Sequence, residues 1–325
     1  MAARALKTLI PLVAGALCVL PAPAVAQTYP GKPVRMIAPF PPGGTSDVVA
    51  RLIAQKLSDA LGRQVIVENR GGAAANIGHE IAAKTAPDGY TLLLTSGAAM
   101  VTNQFLYKKL NWEPADFAPI SLVASAGMVL VVHPSVPATN VAQLIALAKA
   151  RPDRMTVGSG GVGTTSHVTN EVFKSITGTK ITHVPYKGGG LAVTDLVGGQ
   201  IDIVFSDMVP SVPQIQSGRL RALAVTSEQR SSVLPNVPTM VEAGVKHAFP
   251  SQWWAMVVPR GTPAAIIGRI NADIGQFMKM PDIQEKFTAL GLFPRHGTPE
   301  QVLETIRQGS AEMREIVKAA GIQPE

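Results

Sequence analysis

The chain of 325 residues contains a single cysteine, Cys18. One cysteine excludes a disulfide framework and any cysteine-rich zinc or iron–sulfur site. Aromatic residues make up only 5% of the chain, and no arginine-rich run interleaves with them, so nucleic acid is not an expected partner. Charged residues are 16% against 46% apolar, which excludes disorder as the main state. The six histidines show no i, i+4 pairing and no H-E-x-x-H, so no metal is expected. Neither G-x-x-x-x-G-K-[ST] nor G-x-S-x-G occurs, which removes the phosphate loop and the nucleophile elbow. Past the N-terminus, no apolar run approaches the ~20 residues of a membrane span.

What the sequence does have begins with its N-terminus. Arg4 and Lys7 precede an uncharged run from Thr8 to Pro21, and Ala24-Val25-Ala26 follows. A charged start, an apolar stretch and a small-x-small site form a secretory signal peptide over 1–26, cleaved after Ala26. Leu17 is too large for the position before a lipidated cysteine, so Cys18 leaves with the peptide. The expected mature chain has 299 residues (325 − 26) and a net charge of +5, from 29 − 2 basic and 22 acidic residues. The expected compartment is the periplasm. The positive balance favours anionic partners without naming one.

Short apolar runs then alternate with amphipathic segments. Strand-like runs lie at 34–38, 65–67, 91–95, 129–132, 155–157, 181–185, 201–205 and 220–225. Between the first two, Val49, Leu52, Ile53, Leu57, Ala60 and Leu61 recur at the spacing of one buried helix face, ending at Gly62. Further helices are expected near 138–149, 166–177 and 190–198, and beyond 263 with breaks at Pro281 and Pro299. Alternation of this kind predicts an α/β fold with mixed, mostly parallel sheets flanked by helices.

Two glycine-rich turns follow strands and precede helices: Pro41-Pro42-Gly43-Gly44-Thr45-Ser46-Asp47 and Gly158-Ser159-Gly160-Gly161-Val162-Gly163-Thr164-Thr165. Helix starts offer unpaired N–H groups and partial positive charge, so two such loops facing each other would clamp an anion. The second fits G-x-G-x-x-G, but no acidic residue ends the next strand to hold a ribose, so no dinucleotide and no other cofactor is expected. His167 falls in the first turn of the following helix, either packed on a neighbouring backbone group or donating to a bound anion. Asp47 suits the cap of its own helix. Asp207 follows a strand and belongs at its carboxyl end. Neighbouring strand residues face opposite sides, so one of Trp253 and Trp254 lines a cleft, assigned here to Trp253.

Taken together, these blocks resemble the tripartite tricarboxylate transporter substrate-binding receptors. The resemblance rests on Tyr29-Pro30-Gly31-Lys32-Pro33, Pro39-Phe40-Pro41-Pro42-Gly43-Gly44 with Asp47, Pro87-Asp88-Gly89-Tyr90, Gly163-Thr164 with His167, His183-Val184-Pro185-Tyr186-Lys187-Gly188 and Leu234-Pro235-Asn236-Val237-Pro238. Ser206 intervenes between Phe205 and Asp207, where the family often has an acid directly after the phenylalanine. The family implies a two-lobed periplasmic-binding-protein type II fold with two crossing hinge strands. Lobe 1 is then 27–124 with 226–325, and lobe 2 is 125–225. It also implies a small carboxylate ligand, delivery to a membrane permease with one large and one small subunit, and a monomer performing no chemistry. Carried over by motif, the ligand-binding positions are Phe40, Gly43, Gly44, Thr45, Ser46 and Asp47 on one side. On the other they are Ser159, Gly163, Thr164, Thr165 and His167, with Asp207 and Trp253 as further candidates. Two other readings are a receptor presenting its ligand to a membrane sensor kinase, and a secreted hydrolase pairing His167 with a nearby hydroxyl.

Overall fold

The computed structural model describes residues 29–246, 249–250 and 252–320. The signal peptide expected over 1–26, its cleavage site and Cys18 lie outside the described residues.

The chain opens with β1 (Val34–Ala38), α1 (Thr45–Leu61), β2 (Val65–Asn69), α2 (Asn76–Ala83), β3 (Thr91–Ser96), α3 (Asn103–Leu106) and β4 (Phe117–Ala126). A second set follows: β5 (Val129–Val132), α4 (Val141–Ala150), β6 (Thr156–Ser159), α5 (Thr165–Thr177), β7 (Thr182–Pro185), α6 (Gly189–Val197), β8 (Ile203–Ser206), α7 (Met208–Gln216) and β9 (Arg221–Val225). The chain then returns through β10 (Gln252–Pro259), α8 (Ala264–Phe277), α9 (Pro281–Ala289), β11 (Phe293–Pro294) and α10 (Pro299–Ala320).

Two sheets result, ordered β11-β4-β10-β3-β1-β2 and β7-β6-β8-β5-β9. Each is covered by helices, giving a two-lobed α/β molecule. Parallel pairing is less dominant than the alternation of elements predicts. Four strand pairs are parallel and five antiparallel. The antiparallel pairs all involve β4, β5 or β10, which carry the chain between the sheets and so run against the βαβ units. The two passages are bound to each other: Met128 N–H donates to Thr226 Oγ1 (2.9 Å), and Thr226 N–H to Met128 O (2.8 Å).

Local causes are visible in α1. Val49, Ala50, Ile53, Ala54, Leu57 and Leu61 are buried against the β1 face carrying Val34, Met36 and Ala38. Ile37, on the opposite face of β1, enters a separate cluster. Truncating Ile53 or Leu57 to alanine would cost about 2–5 kcal/mol. Gly62 ends the helix in the left-handed region (φ 65°), its N–H closing on Ser58 O at 3.1 Å.

Candidate ligand-binding cleft

Helices α1, α5, α6 and α7 begin around one cavity of about 470 Å³, and their N-cap residues Gly44, Thr164, Gly188 and Asp207 all line it. Each helix start carries roughly half a positive charge and unpaired N–H groups. Among the described residues, the amides of Thr45 and Ser46 on one side, and of Thr165 and Ser166 on the other, have no protein partner. They are the donors available to an anion.

The first loop is held from behind. Gly43 N–H donates to Asp47 Oδ2 (3.0 Å), as does Arg51 Nε (3.1 Å). Asn69 Nδ2 donates to Asp47 Oδ1 (2.9 Å) and to Phe40 O (3.0 Å), tying the loop to the end of β2. Burial pushes the Asp47 carboxyl up, but hydrogen bonds from Arg51, Gly43 and Asn69 outweigh it and hold it below the usual carboxylate range. Trp254 Nε1 donates to Ser46 Oγ (2.9 Å), bracing the first turn of α1.

The second loop is braced in the same manner. Gly160 N–H donates to Ser166 Oγ (2.9 Å), Gly161 N–H to Ser159 Oγ (3.1 Å) and Gly163 N–H to His167 Nδ1 (3.3 Å). Thr164 Oγ1 donates to Gly161 O (2.7 Å). The bond from Gly163 requires His167 Nδ1 to be unprotonated. Burial, then Lys174, holds that imidazole down to about 4, so it is neutral and meets the requirement. His183, whose ring stacks on His167 at 4.5 Å, is also held at about 4, first by burial and then by His167.

Of the candidate ligand-binding positions, Phe40, Gly43, Gly44, Thr45, Ser46, Thr164, Thr165 and Asp207 line the cavity and the others do not. Asp47, Ser159 and His167 stand behind their loops, their polar groups committed to loop hydrogen bonds, and Gly163 faces Asn103 and Tyr107 of the first lobe rather than the cavity. Trp254, not Trp253, lines the cavity. The two indoles alternate along β10, and Trp253 packs over Gly97 on the other face. Residues not anticipated are Ser96, the Gly188-Gly189-Gly190 turn, Gln214, Arg219 and Gln252. The glycine triplet between a strand and a helix was a legible signal; Gln252 and Ser96 had none. Among the described residues, half of the buried side-chain polar atoms without a partner belong to lining residues: Thr45 Oγ1, Ser96 Oγ, Gln214 Oε1 and Gln252 Oε1. Burial pushes the Asp207 carboxyl up, opposed by Gln252, whose Nε2 donates to it (2.8 Å).

His167, Glu171 and His183 bring ligand-type atoms within 4.8 Å of one another. Their geometry is unsuited to a metal: the imidazole planes lie 29° apart and stacked, so lone pairs in those planes do not converge. Glu171 is also engaged by Lys174 Nζ at 2.6 Å. Around the second loop, the hydroxyl in contact with an imidazole is that of Ser159, on His183 Nε2 (2.6 Å), and Ser159 is fully buried away from the cavity.

Comparison with known proteins places this arrangement. The family model described as tripartite tricarboxylate transporter family receptor matches residues 49–322. The chain belongs to that receptor family. Protein BugT of Bordetella pertussis is 39% identical over 302 residues, covering 92% of this chain and 93% of BugT. The solved structure of R. palustris Rpa4515 with adipate matches with a TM-score of 0.89 and 34% identity, covering 91% of this chain and 100% of that one. The periplasmic binding protein BugD matches at 0.87 and 33%, with 91% and 100% covered. The receptor family is one of binding proteins, which agrees with a cavity ringed by helix starts.

Proposed function

We propose that the protein captures a small carboxylate between its two lobes, performs no chemistry on it, and delivers it to a membrane permease of one large and one small subunit. The observation that carries this reading is the convergence of four helix N-termini on one cavity, with free amides on both lobes. Adipate in the related Rpa4515 structure supports the ligand class. Charge-assisted hydrogen bonds contribute roughly 1.5–3 kcal/mol each, so four give about 6–12 kcal/mol before the cost of ordering. A net of about −8 kcal/mol is micromolar binding. The ligand-contacting groups in this reading are Gly44, Thr45, Ser46, Thr164, Thr165 and Ser166, with Asp47 and His167 positioning the loops. Export by the N-terminal signal and action in the periplasm as a monomer complete the proposal. The test is a thermal-shift panel of mono-, di-, tri- and aromatic carboxylates. A ligand at a hundred times its dissociation constant adds ~2.7 kcal/mol, a rise of several degrees. No shift in any class, before and after unfolding and refolding to remove a resident ligand, refutes the carboxylate reading.

A further inference from the structure

One residue on the cavity wall does not suit an anion. Asp207 stands between β8 and α7 with the extended backbone of an N-cap (φ −61°, ψ 151°), yet its carboxyl does not cap the helix. It lines the cavity instead. Its Oδ1 accepts from Gln252 Nε2 (2.8 Å), on a strand of the other sheet. Gln252 and Trp254 share one face of β10, and Trp254 reaches Ser46 Oγ (2.9 Å) in the first clamp loop. Two residues of strand span about 7 Å, which sets the Asp207 carboxyl beside that loop.

Among the described residues, no cation on the surrounding elements neutralises it. β3, β5, β8 and β10 carry no titratable side chain, and the turn at Gly291 that packs on Met208 has none. On α1, Asp47 and Arg51 pair with each other behind the loop (2.9 Å). On α6, Asp195 accepts from the Tyr186 hydroxyl (2.8 Å), and on α5 His167 is neutral. Arg221 of β9 donates to the carbonyls of Val136 and Ala138. Arg219 stands past the end of α7, whose nine residues span about 13 Å. A ligand carboxylate at the helix starts therefore brings a second negative charge to a closed site that already holds a carboxyl. Two carboxylates so placed keep one proton between them.

We propose that ligand binding is coupled to a proton: Asp207 takes one from solvent as the ligand carboxylate enters, and its O–H then donates to that carboxylate. This rests on the reading of the cleft as a carboxylate site. Isothermal titration between pH 5.5 and 8.5, in pairs of buffers with different heats of ionisation, counts the protons taken up. Wild type and Asp207→Asn are titrated with benzoate, adipate, malate, citrate and aspartate, and melting curves check that the variant folds. Above the pKa of Asp207 in the empty cleft, wild type takes up one proton per ligand, and its affinity falls roughly tenfold for each further pH unit. Asp207→Asn, neutral and still a donor, binds without proton uptake and with an affinity flat across the range. Binding by wild type with no proton uptake at any pH overturns the coupling, as does a pH slope that Asp207→Asn retains. The wild-type count decides alone if the variant fails to fold. Aspartate bound without proton uptake, and lost in Asp207→Asn, shows Asp207 ionised and paired with an ammonium group; that overturns the coupling with the carboxylate reading intact. Failure of all five acids with wild type freed of resident ligand overturns both.

Discussion

Gly163 offers a way to separate lobe closure from folding. Its φ is +88°, and a Cβ built there would lie 2.6 Å from Asn103 Oδ1, 3.0 Å from Tyr107 Cε2 and 3.5 Å from Ala74 Cβ. All three neighbours belong to the first lobe, whereas Gly163 belongs to the second. Asn103 cannot swing aside freely, because its Nδ2 donates to Ala74 O (2.9 Å) and Asn76 Oδ1 (2.8 Å). Gly163→Ala therefore carries two penalties. The left-handed backbone costs about 1–2 kcal/mol in any state of the molecule. The overlap, about 1–3 kcal/mol, acts only with the lobes together. Gly178 supplies the control: its φ is +64°, it sits just past α5, and a Cβ there meets nothing within 4 Å. Both alanine variants should lose similar stability without ligand, a few degrees in melting temperature. Gly163→Ala alone should also weaken binding of whichever carboxylate gives a shift in the thermal panel, by about 5- to 150-fold for a penalty of 1–3 kcal/mol. Calorimetric titration and melting curves read the two effects separately. Equal affinities of the two variants for that carboxylate would refute the placement of Gly163 at the lobe contact.

Three further outcomes follow from the site and its supports. His79 is fully buried, bonded to Ala75 O (2.8 Å) and Thr95 Oγ1 (2.7 Å), and burial holds it at about 4 against an ordinary 6.5. Below pH 6.5 the unfolded chain takes up protons that the fold refuses until about 4, so His79 and His167 should each remove up to about 3 kcal/mol of stability across that window. Urea unfolding at pH 7, 5.5 and 4.5 measures this, and a flat profile contradicts it. Asp47→Ala removes the acceptor shared by Gly43, Arg51 and Asn69; about 1–3 kcal/mol of stability and roughly tenfold in affinity for the same carboxylate should go with it, checked by melting and titration. Trp254→Phe breaks the bond to Ser46 and should weaken that carboxylate several-fold and abolish a ligand-dependent fluorescence change, whereas Trp253→Phe should leave both affinity and fluorescence change in place.

Periodicity made most of the fold legible. The apolar spacing through Leu57 located α1, and Pro281 and Pro299 located the starts of α9 and α10. β4 was missed because Pro119 interrupts its apolar run, and α7 because Pro210 and Pro213 fall within nine residues. Pro210 falls in the first turn of α7, where N–H groups lack intrahelical acceptors, whereas Pro213 lies inside the helix. The direction of β4, β5 and β10 depends on which sheet each joins, and no local pattern encodes that. Within the site, a glycine-rich turn before a helix marks where a loop is, but not which of its atoms are free. Gly163 and His167 read as ligand contacts because their residue types suit an anion. In the fold each satisfies the other, leaving neighbouring amides exposed. Assignment of Trp254 over Trp253 required the register of β10 against Ser125 and Ala124, a long-range fact.

The division of labour between backbone and side chains explains how such a site accepts an anion without placing a fixed cation at its centre. Buried lysine or arginine at the loops would need a partner carboxylate in the unliganded protein, and that partner would compete with the ligand. Helix starts need none: their amides are held in position by covalent geometry and by bonds made behind the loop, to Asp47 on one lobe and to Ser159, Ser166 and His167 on the other. The cations that do appear are supports, as with Arg51, or stand away from the loops, as with Arg219; the carboxyl on the wall is that of Asp207, at the start of α7. Affinity for one carboxylate is then a property of the scaffold, independent of what lies farther along the cavity. The α6 and α7 faces can vary in length, polarity and charge without disturbing the clamp, so changes at positions such as Val197, Gln214 and Arg219 should alter which acid is preferred before they alter whether an acid is bound.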